Sequence, residues 1–194
     1  MRTSTNLIAF KQMIRGGDFV VLDTETTGIH RGEIVQIGIV DATGQVLLDT
    51  LVKPMGHIPY ETTRIHGITD DMVSDAPGWG DITAQVESLL RDRHVVVYNA
   101  VFDRKMMHQS AQACGLPKTD WKTFSTWWCA MEAFAQEYAS RSFSHRRRTP
   151  RNQKLTMAAR HYRIPVRDAH SALGDALMTL SVVRAMVAET DVRW

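Results

Sequence analysis

Long apolar runs are missing from this 194-residue chain. Its most continuous stretches, such as Val95-Val96-Val97 and Ile37-Gly38-Ile39-Val40, fall far short of the roughly 18 residues a membrane-spanning helix needs, and no membrane partner is expected. Cysteine is scarce as well. Cys114 and Cys129 cannot build a disulfide framework, and neither lies in a Cys-x-x-Cys or Cys/His zinc pattern, so a reducing cytoplasm is the expected compartment. The first 17 residues carry only the short patch Leu7-Ile8-Ala9-Phe10 and no cleavage region of a secretory signal. Internal repeats and linkers are absent. Nor is there a large excess of one charge, because 23 Lys and Arg face 21 Asp and Glu for a net +2.

What is present is ordinary globular material: 44% apolar and 23% charged residues, enough to bury a core in one domain over residues 1–194. The charge is segregated. Arg141, Arg146, Arg147, Arg148, Arg151 and Lys154 follow one another without an intervening acid, which leaves the rest of the chain net acidic. The stretch lacks periodicity and reads as a loop. Its position before the last helices makes Arg146, Arg147 and Arg148 candidate phosphate contacts, against the plainer alternative of a solvated charge run.

Patterning predicts a helix near Thr5–Ile14 and a buried strand at Phe19–Leu22, then strands at Ile34–Val40 and Val46–Val52 around the Ala42-Thr43-Gly44 turn. Short helices at Tyr60–His66 and Asp70–Met72 and a longer one at Asp81–Leu90 follow. His94–Tyr98 is a further strand leading into a helix over Val101–Cys114, which ends at Gly115 and Pro117. A fifth strand is expected at Thr123–Trp127, with helices at Cys129–Tyr138, Leu155–Tyr162 and Ala172–Val187. A meander followed by alternating strands and helices predicts an α/β fold, a mixed sheet covered by helices. Trp121, Trp127 and Trp128 are expected to pack rather than to form a stacking platform.

Asp23-Thr24-Glu25 ends the first strand, and alternation of strand side chains turns both carboxylates to one face. Like charges so close demand either a raised pKa or a cation. An oxygen-rich set of this kind suits Mg²⁺ or Mn²⁺. Asn99-Ala100-Val101-Phe102-Asp103 places another acid in the first turn of a helix, and His170-Ser171-Ala172-Leu173-Gly174-Asp175 opens the last one.

Each piece alone has a bland reading. In this order and spacing, however, Asp23-Thr24-Glu25-Thr26-Thr27-Gly28, Asn99 to Asp103 and His170-x4-Asp175 resemble the three motifs of the DEDDh 3′–5′ exonucleases, a family that includes polymerase proofreading subunits, ribonuclease T and exonuclease X. Ile65-His66-Gly67-Ile68-Thr69 resembles the family's segment between the first two motifs, and the motif-bearing core spans about residues 18–190. A variant of the family has tyrosine four residues before the last aspartate. Here Ser171 stands there and His170 lies five before Asp175, so the histidine subtype fits.

The resemblance implies a ribonuclease H-like fold with a five-stranded sheet, and a nuclease that releases nucleoside 5′-monophosphates from DNA 3′ ends. It implies two Mg²⁺ (or Mn²⁺) ions on Asp23, Glu25, Asp103 and Asp175, with His170 as general base. Substrate contacts are expected from Thr26, Thr27, Gly28, His66, Ile68, Asn99 and Phe102, besides the three arginines. Phe102 is equally suited to core packing. An RNA-trimming activity like that of ribonuclease T is the alternative, since no residue reports on the 2′-hydroxyl. A non-catalytic nucleic-acid-binding or polymerase-accessory module would have no reason to keep five matching groups in register. The chain ends 19 residues after Asp175 with no evident polymerase-tethering tail, which favours a free-standing enzyme acting in DNA repair or degradation. Both a monomer and a homo-oligomer are compatible with the sequence.

Overall fold

The computed structural model describes residues 5–141, 152–166 and 169–188. In chain order the elements are α1 (Leu7–Gly16), β1 (Phe19–Thr26), β2 (Ile34–Asp41), β3 (Val46–Leu51), α2 (Tyr60–His66), α3 (Asp70–Val73) and α4 (Trp79–Leu90). There follow β4 (His94–Val97), α5 (Ala100–Ala113), β5 (Thr126–Cys129), α6 (Ala130–Arg141), α7 (Leu155–His161) and α8 (Ala172–Ala188). The strands form one sheet in the order β3-β2-β1-β4-β5, antiparallel through β3, β2 and β1 and parallel from β1 through β4 to β5. This is the mixed five-stranded sheet expected from the sequence.

The sheet is buried on both faces, which explains why β1 and β4 read as continuous apolar runs instead of alternating ones. Alternation still decides which core each side chain enters. Phe19 and Val21 join Val40, Val96, Phe134, Val183 and Met186 in one apolar cluster, shared with α1, α6, α7 and α8. Val20 and Leu22 join Ile39, Val95, Val97, Met106 and Trp121 in the other, shared with α4 and α5. Each fully buried aliphatic side chain contributes roughly 1.5–3 kcal/mol, so the helices are held to the sheet from both sides.

Several boundaries shift by two to four residues from the expectation, at α1, β1, α4, β5 and α6, and two of the shifts have a visible physical cause. Helix α4 begins at Trp79, because the Asp81 carboxylate accepts the Gly78 N–H at 2.8 Å and starts the helix a residue or two early. Strand β5 begins at Thr126, because Trp121 is buried and the chain turns over it: Ser125 Oγ donates to the Trp121 carbonyl at 2.6 Å, and the Trp127 indole N–H donates to the same carbonyl at 3.0 Å. The tryptophans therefore pack, as expected. Val86 and Leu90 of α4 also face the core. No described helix is long and apolar enough to cross a membrane.

Candidate active site

The carboxyl ends of the parallel strands β1 and β4 lie at one edge of the sheet, and the acidic residues gather there. Parity along β1 sorts them. Asp23 and Glu25 continue the series Phe19, Val21 and so face α8, while Thr24 continues Val20, Leu22 and faces α5. Asp175, in the first turn of α8, completes a trio with Asp23 and Glu25 in which one ligand oxygen from each lies within 4.8 Å of the others. From the other layer, Asp103 in the first turn of α5 accepts a hydrogen bond from Thr24 Oγ at 2.9 Å. One tripeptide thus meets an acid from each helical layer.

Helix α8 reaches this position because β2 lets it. Gly38 pairs directly with Asp23, and a Cβ built on Gly38 would stand 2.6 Å from Leu173 N and 2.7 Å from the Ala172 carbonyl carbon. The missing side chain is the seat of the helix N-terminus. Beside it, Gln36 Oε1 accepts the Ala172 N–H at 3.0 Å, and its amide donates to Asp49 at 3.1 Å. Ser171 Oγ accepts the Gly174 N–H at 3.1 Å, which is an N-cap arrangement and accounts for serine at the position that tyrosine takes in the family's variant. On the opposite layer, Ser110 Oγ of α5 accepts the Ile34 N–H at 2.9 Å.

The electrostatics are those of a site built for cations. Burial, and then the neighbouring Asp103, Asp175 and Glu25, hold the Asp23 carboxyl well above the usual carboxylate range. Burial, with Asp175 and Asp103, pushes Glu25 to about 7. Burial also pushes Asp103 to about 7, against the Thr24 hydroxyl, which favours its ionised form. Asp175 is raised by burial, with His170 opposing. Four acids that resist ionisation together are what a divalent ion would relieve, and an all-oxygen donor set fits Mg²⁺ or Mn²⁺.

His170 immediately precedes the Ser171 cap, exposed, with φ at +69°. His66 lies close enough that His170 and burial together lower its pKa, burial contributing more, while the Thr26 backbone opposes. Its Nδ1 accepts the Ile68 N–H at 3.0 Å, so the neutral ring carries its proton on Nε2. The loop after β1 is closed by the Thr27 N–H donating to the Glu33 carbonyl at 2.8 Å and by Thr27 Oγ accepting the Glu33 N–H at 2.9 Å. Gly28 has φ of +145°, a conformation L side chains rarely adopt.

The remaining expected contacts are distributed unevenly. Asn99 precedes α5, and its carbonyl accepts the N–H groups of Phe102 and Asp103. Phe102 is half-buried against the α5-side core, in keeping with its packing alternative. Ile68 is 4% exposed and packs with Val35, Ile58 and Val73. Nearby in sequence, Ile65 and Ile29 are both more than half exposed. Arg146, Arg147 and Arg148 lie outside the described residues. Sequence reasoning missed Thr24, Gln36 and Gly38. A glycine inside a β-branched strand was the available signal for the last.

Comparisons with known proteins bear on the family and the fold. A family model described as exonuclease matches residues 20–183. The chain is 42% identical over 173 residues to the uncharacterized exonuclease CP81 of Escherichia phage 186, covering 87% of this chain and 88% of that protein. It is 29% identical to the DNA polymerase III subunit epsilon of Treponema pallidum, covering 88% and 76%. Among solved structures, exonuclease X in complex with 5′-overhanging duplex DNA superposes with a TM-score of 0.62 at 23% identity, covering 91% and 94%. Exonuclease I superposes with a TM-score of 0.72 at 19% identity, but this chain spans 41% of it. At those identities the structures speak for the fold.

Proposed function

From the premise that the chain belongs to the exonuclease family and is a 3′–5′ exonuclease, we propose that it removes nucleotides from DNA 3′ ends as 5′-monophosphates, using two divalent cations. The observation that carries this reading is the convergence of Asp23, Glu25 and Asp175 within 4.8 Å, with Asp103 presented from the other helical layer. Asp23, Glu25, Asp175 and Asp103 would hold Mg²⁺ or Mn²⁺. When bound, the ions supply a more acidic water and neutralise charge developing on the phosphoryl oxygens.

The chain's own groups do the rest. His170, exposed beside Asp175, accepts the proton of the attacking water. Hydrogen-bonded closure of the loop after β1 presents the Thr26–Gly28 backbone, where Gly28 leaves room for the terminal sugar. His66 holds a buried Nε2–H against the Thr26 backbone, and is suited to donate to a nucleotide oxygen seated there. Ile65 and Ile29 offer apolar surface to the terminal base, while the Ile68 backbone N–H holds the His66 ring. DNA is favoured as substrate because the relatives include a DNA polymerase subunit and the fold neighbours include an exonuclease solved on duplex DNA.

The test is a Mg²⁺-started time course on 5′-labelled DNA and RNA of matched sequence, with EDTA and Asp23→Ala controls. A one-nucleotide ladder shrinking from the 3′ end, faster on DNA and absent in both controls, is expected. A faster ladder on RNA would replace DNA by RNA as substrate, and no ladder on either would refute the reading.

A further inference from the structure

On the side of α5 away from the carboxylates lies a groove of about 700 Å³. Val101, Arg104, Lys105 and His108 line it from the helix, and Lys118 and Lys122 from the segment leading to β5. Helical spacing explains the arrangement: Asp103, Met106, Met107 and Ser110 turn inward, so positions 101, 104, 105 and 108 share the outward face. No carboxylate lines the groove, and among the described residues none of its four Lys and Arg is ion-paired.

The cations are positioned. The Arg104 guanidinium sits 5.1 Å over the Trp127 ring, which holds it in place, while Asp103, Asp120 and Glu132 favour its charge from a distance without forming an ion pair among the described residues. Lys105 Nζ donates to the Ile29 carbonyl at 2.8 Å, which ties this face of α5 to the loop that follows Thr26–Gly28. Burial, then Lys118 and, more weakly, Arg104 disfavour charging of His108, with Asp120 opposing them. Its Nδ1 and the neighbouring Gln109 Oε1 are buried without a hydrogen-bond partner among the described residues. Like charges gathered around unsatisfied polar atoms are costly until an anion neutralises them.

We propose that this groove binds the phosphodiester backbone of the nucleic acid whose 3′ end occupies the carboxylate site. The inference rests on the exonuclease reading and adds a second, polymer-specific contact to it. From Val101 to Gln112 the helix runs about 16 Å, the length of roughly five phosphates along one strand of duplex. Its near end is the turn from which Asp103 enters the site. A single nucleotide cannot span both, so the groove acts only on longer substrates. The phosphates come either from the cleaved strand upstream of its end or from a complementary strand.

The experiment compares wild type with Lys118→Ser/Lys122→Ser and, separately, Arg104→Gln. Fluorescence anisotropy in EDTA reads the Kd for a 15-nucleotide single strand and for the same strand in a 5′-overhanging duplex, across a salt series. Hydrolysis of the p-nitrophenyl ester of thymidine 5′-monophosphate, too short to reach the groove, reports on the carboxylate site and on folding. The double variant is expected to bind about tenfold more weakly, with the slope of log K against log salt reduced by about 1.4, two phosphates at ~0.7 each for a single strand. Loss with both substrates assigns the groove to the cleaved strand, and loss with the duplex alone assigns it to the complementary strand. Unchanged Kd and slope with both substrates would overturn the proposal. Failure of wild type to turn over the ester would instead strike the exonuclease reading.

Discussion

Replacing Gly38 by alanine tests how the carboxylates are brought together. The added Cβ would stand 2.6 Å from Leu173 N, 2.7 Å from the Ala172 carbonyl carbon and 2.8 Å from its oxygen, where ordinary contact begins at 3.4 Å. All three are backbone atoms, so no rotamer change relieves the overlap. The first turn of α8 must lift from β2 by somewhat less than an ångström, which stretches the 3.0 Å bond from Ala172 N–H to Gln36 and carries Asp175 away from Asp23. Overpacking of this kind costs about 1–3 kcal/mol of stability, and a misplacement near 1 Å in a reacting site costs about 10²-fold in rate. The assay pairs ester hydrolysis over a Mg²⁺ titration with thermal melting. Gly38→Ala should retain a cooperative melt at lower Tm, need more Mg²⁺ for half-maximal rate and lose about 10²-fold at saturation. Gln36→Leu, which removes the hydrogen bond without the clash, should fall in the same direction by less. A folded Gly38→Ala protein with wild-type rate and wild-type Mg²⁺ dependence would refute the idea that this glycine seats the helix.

His170→Ala should lower the rate by about 10² to 10⁴ with little change in Tm, and an unchanged rate would remove His170 from the chemistry. Thr24→Val deletes the hydroxyl that favours ionised Asp103, so the acid limb of the pH–rate profile should move to higher pH; a shift downward would contradict the assignment. Glu25 and Asp103 have folded pKa values of about 7, above their unfolded values. The folded protein therefore binds more protons than the unfolded one between about pH 4 and 7, and metal-free stability should decline as pH rises through that window. Mg²⁺ should restore more Tm at pH 7.5 than at pH 5, and the restoration should shrink in Glu25→Gln. Equal Mg²⁺ effects at both pH values would count against cation binding by these groups.

Much of the frame was legible because it obeys local rules. The strands β1, β2 and β3 announced themselves by β-branched runs and a Thr-Gly turn, and the first turns of α5 and α8 by acids at fixed offsets. What escaped depends on partners distant in sequence. Thr24 looks like spacing between two acids until α5 arrives to give its hydroxyl a carboxylate. Gln36 looks like an ordinary polar strand residue until α8 presents an unpaired N–H. The packing of Ile68 depends on Gly67, whose φ of +76° turns the chain so that Ile68 meets Val35, Ile58 and Val73. The start of β5 was misplaced because Thr123 and Phe124 have strand-like composition but serve the turn over buried Trp121.

The division of labour along β1 has a consequence for how this segment can vary. Odd-numbered residues from Phe19 to Glu25 belong to the α8 layer and even-numbered ones to the α5 layer. Deleting a single residue between Phe19 and Asp23 would rotate every later side chain by half a turn, aiming the Asp23 and Glu25 carboxylates at α5 and the Thr24 hydroxyl at α8. The segment is therefore far less tolerant of a change in length than of a change in identity. A two-residue insertion preserves the facing but moves the acids about 7 Å along the strand, beyond the reach of either helix. Indel scanning through β1 should accordingly give inactive proteins at every step, while the Asp41–Gly44 turn, outside the site, accepts the same insertions.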